Sequence, residues 1–200
     1  MTFGKNGGMR EPTVAEILNE LWIHPDNAEW TPKVGMIALS KVKEWMKSSD
    51  MEVLGLVYCT ISEERFQIEP EMTVDEYVDF LKLYFSRCFS ESPDGNWSDS
   101  RWSAGWDLVN VISSMWRDGG VPRSVMDGWK NWLADLYRDG SQEVRVCIIQ
   151  ATLEHLLEQK HFREFFEDWR KDPVLKVAYE EALLWHQGGG KTPLGEPPFI

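Results

Sequence analysis

Eleven tryptophans in 200 residues constrain this chain more than any other feature, because most of them fall at helical spacing next to glycine breaks. Two segments repeat one pattern. Gly105-Trp106 runs to Trp116-Arg117-Asp118-Gly119, and Gly128-Trp129 runs to Tyr137-Arg138-Asp139-Gly140. Each reads as an amphipathic helix that opens on Gly-Trp and closes on aromatic-Arg-Asp-Gly. The recurrence after about two dozen residues is the period of stacked helices in a solenoid. Trp106, Val109, Ser113 and Trp116 keep a three-then-four spacing that predicts the apolar face of the first repeat. Trp129, Trp132, Leu133 and Leu136 do the same for the second.

The rest of the chain supplies further helix starts. Thr13-Val-Ala-Glu16 and Thr73-Val-Asp-Glu76 both match a capping box, in which the threonine caps the glutamate's amide and the glutamate reaches back. The first starts a short helix through Leu21. The second opens a long one with the stripe Val74, Tyr77, Val78, Leu81, Phe85, Cys88 and Phe89. Trp22 to Trp30, with Pro25 and Asn27, reads as a loop. Thr31-Pro32 then predicts a helix start with proline at its first position and Val34, Ala38, Val42 and Trp45 on one face. Met51 to Ile61 fits a buried strand or a core helix. Helix is preferred because only Arg65 to Ile68, in a small hairpin, offers a strand partner. Ser141-Gln-Glu-Val starts another helix after Gly140, a helix C-terminal glycine. His161 to Trp169 gathers Phe162, Phe165, Phe166 and Trp169, and Asp172-Pro173 begins a last helix bearing Leu175, Ala178, Tyr179, Ala182 and Trp185. The expected fold is all-α: stacked antiparallel helical hairpins of HEAT-like build, with a small irregular or β element near residues 51–68. The expected organisation is a single helical domain over residues 12–187 between flexible ends at 1–11 and 188–200.

Apolar residues at 42% and charged residues at 27% suit a folded globular chain. Cys59, Cys88 and Cys147 are odd in number and lie in apolar helical patterns, as reduced core thiols of a cytoplasmic protein do. No stretch has the length of a membrane span or the layout of a secretory signal. The net charge of −12 argues against nucleic acid as a partner, since phosphate contacts need Lys and Arg. The acids are unevenly spread. Ser62 to Phe80 carries Glu63, Glu64, Glu69, Glu71, Asp75, Glu76 and Asp79 against Arg65 alone. That run is a solubilising face or a docking surface for a basic protein. Trp30, Trp97 and Trp102 lie in or beside turns and are the candidates for exposed anchors, since tryptophan is enriched in binding hot spots. Trp106, Trp116, Trp129, Trp132 and Trp169 are expected in the core.

Chemistry-bearing motifs are sparse. Glu158 and His161 make one Glu-x-x-His pair, half of what a di-metal helical bundle uses, and the chain has no second. Gly188-Gly189-Gly190-Lys191-Thr192 resembles the close of a phosphate loop, but Trp185 stands where the first glycine belongs and Pro193 follows. His24 and His186 read as polar contacts or dipole-compensating groups. No catalytic residue, metal or cofactor is assigned.

Glu69 to Phe80, Tyr84-Phe-Ser-Arg-Cys88, Asn96 to Asp107, Ala151 to Glu158 and Phe165-Phe-Glu-Asp-Trp169 together resemble a family of uncharacterised bacterial helical proteins of HEAT-like build. In size, acidity and lack of catalytic motifs the chain is also similar to immunity proteins of bacterial toxin systems. That resemblance implies a non-catalytic protein that neutralises its partner by occlusion and supplies no site residues; the acidic run and the turn positions point to Glu63 to Asp79, Trp97 and Trp102 as the contact residues for a basic partner. Two alternatives stay open. One is an enzyme or small-ligand binder with an aromatic-lined interhelical pocket using Glu154, His155 or Glu158. The other is a scaffold or adaptor whose concave surface holds a peptide.

Overall fold

The Thr13 capping box forms as its sequence dictates: the Thr13 hydroxyl accepts from the Glu16 amide while the Glu16 carboxylate accepts from the Thr13 amide. It starts α1 (Val14–Leu21), which buries Ile17, Leu18 and Leu21. The computed structural model describes residues 10–23, 31–33, 35–62, 66–117 and 121–186. The fold is all-α with a small β element. Its elements fall into two compact units. One holds the described residues up to Thr73 together with Asn96–Ser98; the other holds Val74–Gly95 and the described residues from Asp99 onward.

In the first unit, β1 (Trp22–Ile23) pairs antiparallel with β2 (Thr31–Pro32). Next, β3 (Gly35–Ala38) pairs in parallel with β4 (Phe66–Glu69), in the register Ile37 opposite Ile68. The helix expected from Thr31 therefore begins late: α2 spans Leu39–Trp45 and buries Leu39, Val42 and Trp45. Ala38, assigned to its apolar face, is exposed at its N-terminal cap position. A strand partner some thirty residues away in sequence overrides the local helix signal, because strand stability comes from cross-strand pairing. The same pairing corrects the expected hairpin, since β4 lies against β3. Met51 to Ile61 is helical, within α3 (Met51–Ser62), and Val53, Leu54, Leu56 and Val57 are fully buried in it.

The second unit is a series of helical hairpins: α4 (Val74–Glu91), α5 (Arg101–Arg117), α6 (Arg123–Asp139), α7 (Gln142–Cys147), α8 (Glu154–Leu157), α9 (Lys160–Phe166) and α10 (Pro173–His186). One device recurs at three helix ends. Arg101 donates to the Phe89 and Ser90 carbonyls at the end of α4. Arg145 donates to Tyr137 and Arg138 at the end of α6, and Arg163 to Leu157 and Glu158 at the end of α8. In each case an arginine of the following helix satisfies carbonyls that have no partner within their own helix, and it places positive charge at the negative end of the dipole.

Ser141 caps α7 and Asp172 caps α10, both as expected, through bonds to Val144 and to Val174 and Leu175. Gly140 follows α6, but its φ of −70° is extended and not left-handed. The repeated Gly-Trp pairs do not open their helices, which start four or five residues earlier. Gly105 instead lets α5 approach its neighbour: a Cβ there would lie 2.6 Å from that of Ala151. Between α7 and α8 the chain runs through a π-helical segment, Ile148–Leu153, with Ile148, Ala151, Thr152 and Leu153 inaccessible or nearly so. The Thr152 hydroxyl donates to the Gly105 carbonyl, and the Cys147 thiol to that of Arg101.

Candidate binding surfaces

The buried side of α5 is Ala104, Gly105, Leu108 and Ile112. It is not the Trp106, Val109, Ser113, Trp116 stripe that the spacing marks. Small residues allow the closest helix approach, so the tight contact forms through Ala104 and Gly105, and the indoles are displaced to the flank. Trp106 is consequently 50% exposed, the one exposed tryptophan among the described residues. Trp116 and Trp132 are half-buried, while Trp129 and Trp169 lie in the core as expected.

Both flank indoles rest on histidines. The Trp106 ring stacks on His155 at 3.8 Å between centroids, 26° from parallel, and Trp116 stacks on His161 at 5.0 Å. The edge of His155 faces a carboxylate, with Nδ1 3.2 Å from Glu158 Oε1. Glu154, one turn earlier, has its carboxyl held above the ordinary range, first by burial and then by the Glu158 charge, against the opposing influence of His155 and His186. Trp106 is thus a half-open aromatic held in place: its backbone is tied by the Gly105–Thr152 contact, one face is covered by an imidazole, and the Glu158 carboxylate lies next to that imidazole. Near Trp116, the Ser113 hydroxyl and His161 Nε2 are buried with no hydrogen-bond partner among the described residues. Sequence reasoning placed Trp106 in the core. The signal that could have moved it out was the adjacent Ala104-Gly105 pair.

The indoles of the chain hold its own cations at three other places. Lys41 lies 5.5 Å over Trp45, Lys82 5.3 Å over Trp129, and Arg123 5.6 Å over Trp116 and 4.4 Å over Phe165. Among the described residues, no cation lies over Trp106.

The acidic run divides between the units. Glu69, at the end of β4, and Glu71 are exposed in the first; Asp75 and Asp79 are exposed on α4 in the second, where Glu76 is half-buried. Asp75 and Glu76 occupy the first turn of α4, where carboxylates compensate the helix dipole. Glu63 and Glu64 lie outside the described residues, as do His24, Trp30, residues 118–120 and the stretch Gly188 to Thr192. Neither remaining turn tryptophan is fully exposed. Trp102 is half-buried on α5, one turn before Trp106, and Trp97 is half-buried in the first unit.

Trp97 lines an open cleft of about 970 Å³ with Trp22, Leu18, Asp50, Glu52 and Asn96. Its carboxylates have structural work. Asp50 accepts from the Glu52 amide at the start of α3. Glu52 accepts from the amides of Asn96, Trp97 and Ser98 and from the Ser98 hydroxyl at 2.5 Å. Burial disfavours the charged form of Glu52, but the Ser98 hydroxyl and these amides outweigh it and hold the carboxyl below its ordinary range.

The Glu-x-x-His pair separates in its contacts, Glu158 bonding His155 and His161 stacking on Trp116. No three or more His, Cys, Asp or Glu side chains gather as a metal would require among the described residues. Burial pushes the Cys88 and Cys147 thiols up to about 12, so neither forms a reactive thiolate near neutral pH. No helix among the described residues is long and apolar enough to cross a membrane. No protein-family model, curated protein or solved structure matches the chain.

Proposed function

We propose that this is a non-catalytic binding protein whose partner is a basic protein, and that it acts as immunity proteins do, by occluding the partner's working surface. The observation that carries this reading is Trp106, an indole fixed by helix packing and imidazole stacking yet half open to solvent. Tryptophan in such a setting offers large contact area at little cost in conformational entropy, because its rotamer is already fixed. The net charge of −12 sets the sign of the partner. Exposed Glu69, Glu71, Asp75 and Asp79 would accelerate encounter through long-range attraction, and burial of Trp106 would slow release.

The test is affinity capture from the native host with the intact chain and a Trp106→Ala chain as baits, followed by co-expression of the captured protein with and without the intact chain. The reading expects a stoichiometric basic protein on the intact bait, depleted on the variant, whose harm to cells is relieved by co-expression. A captured protein that is acidic, or one retained equally by both baits, contradicts it.

The cleft beside Trp22 and Trp97 supports a second reading, a small-ligand site in the first unit. It is lined by the indoles of Trp22 and Trp97 and by Leu18 beside the polar residues Thr13, Asp50, Glu52 and Asn96, a mixture of aromatic surface and polar groups that a small ligand could use. It contains none of Glu154, His155 and Glu158, the groups that an interhelical pocket was expected to employ.

A further inference from the structure

We infer that Trp106 is the receiving site for an arginine side chain of the partner, which completes a guanidinium–indole–imidazole stack with His155 beneath. This rests on the protein-binding reading and adds the chemistry of the contact. Three observations support it. First, the chain itself shows what its indoles accept: Trp45, Trp116 and Trp129 each carry a lysine or arginine of the chain over the ring, while no cation–ring contact among the described residues falls on Trp106. Second, Trp106 is 50% exposed and its one ring contact among the described residues is His155, so part of the indole remains open to a flat cation. Third, the local charge has the right sign. Glu158 Oε1 lies 3.2 Å from His155 Nδ1, so a carboxylate stands at the edge of the stack that a cation on Trp106 would complete.

Arginine fits better than lysine. Its guanidinium is planar, less strongly hydrated than an ammonium and able to lie flat on an indole while its N–H groups remain free to bond carboxylates. Within the chain an arginine also lies over an aromatic pair, Arg123 being shared between Trp116 and Phe165.

The probe is a hexa-arginine peptide titrated into the full ¹⁵N-labelled chain at physiological salt, with hexa-lysine as comparison and the indole N–H resonances as readout. The expected result is a saturable shift largest at the Trp106 indole, an affinity lowered about threefold by Trp106→Leu and partly restored by Trp106→Phe, and a smaller Trp106 contribution for hexa-lysine. Because the indole shift is read on the unmodified chain, the test does not depend on the variants folding. Shifts centred on Glu69 to Asp79, an affinity indifferent to Trp106→Leu, or equal Trp106 dependence for both peptides would overturn the assignment. Failure of the capture experiment to return a basic protein sinks the broader reading instead, so the two outcomes are separable.

Discussion

At the residue scale, the chain spends its charged side chains on backbone groups as much as on one another. Glu52 shows this most fully, one carboxylate serving three amides and a hydroxyl. Its folded pKa lies below the unfolded value, so the stability it contributes is present above the ordinary glutamate range and is lost as pH falls through the folded value. Glu52→Gln should therefore cost about 1–2 kcal/mol at pH 7, toward the low end for bonds to a charged group because the carboxylate is partly solvated. Denaturant unfolding of both forms across pH 7 to 3 should show the gap narrowing toward acid; a gap independent of pH would contradict this role. Arg145 makes the same point for cations. Arg145→Met keeps the aliphatic stem but leaves the Tyr137 and Arg138 carbonyls without their donor, and thermal unfolding should show a loss of about 1–2 kcal/mol.

Among the elements, α5 decides the character of the second unit. Its position is set by glycine: with a Cβ at residue 105, Ala151 and Thr152 of the π-helical segment would have to give way. Gly105→Ala gains helix propensity, worth about 1 kcal/mol, but should still destabilise by about 1–3 kcal/mol through overpacking. It should also alter the Trp106 fluorescence by shifting the indole from His155; unchanged stability and emission would mean that the contact relaxes freely. The sequence revealed the helices themselves well, because capping and punctuation are local: Thr13 with Glu16, Ser141, and Asp172-Pro173 all mark real helix starts. It misjudged which arc of α5 is buried. Periodicity identifies an apolar arc, but the depth of burial depends on how closely the neighbour approaches, and here Ala104 and Gly105 outweigh the larger Trp106. The strand β3 was hidden for a related reason, since its partner β4 is distant in sequence and a four-residue strand carries little local signal.

On the scale of the whole molecule, the acidic balance is a statement about encounter. Reversing Glu69, Glu71 and Glu76 to Lys changes the net charge by six, from −12 to −6. With the captured partner in stopped-flow mixing, the association rate should fall about tenfold at low salt and converge with that of the parent chain at high salt. An unchanged rate would remove these acids from the docking route and leave them as a solubilising and dipole-compensating group. Their placement was legible only as a run in the sequence. Its distribution between two units, and the half-burial of Glu76, depend on where α4 begins in space.

The dissociation rate of the captured basic partner from the intact chain and from Trp106→Ala, at one salt concentration, tests the central claim most directly. An aromatic anchor predicts dissociation faster by about tenfold or more with the association rate nearly unchanged. Equal dissociation rates would show that the exposed indole is not where the partner is held.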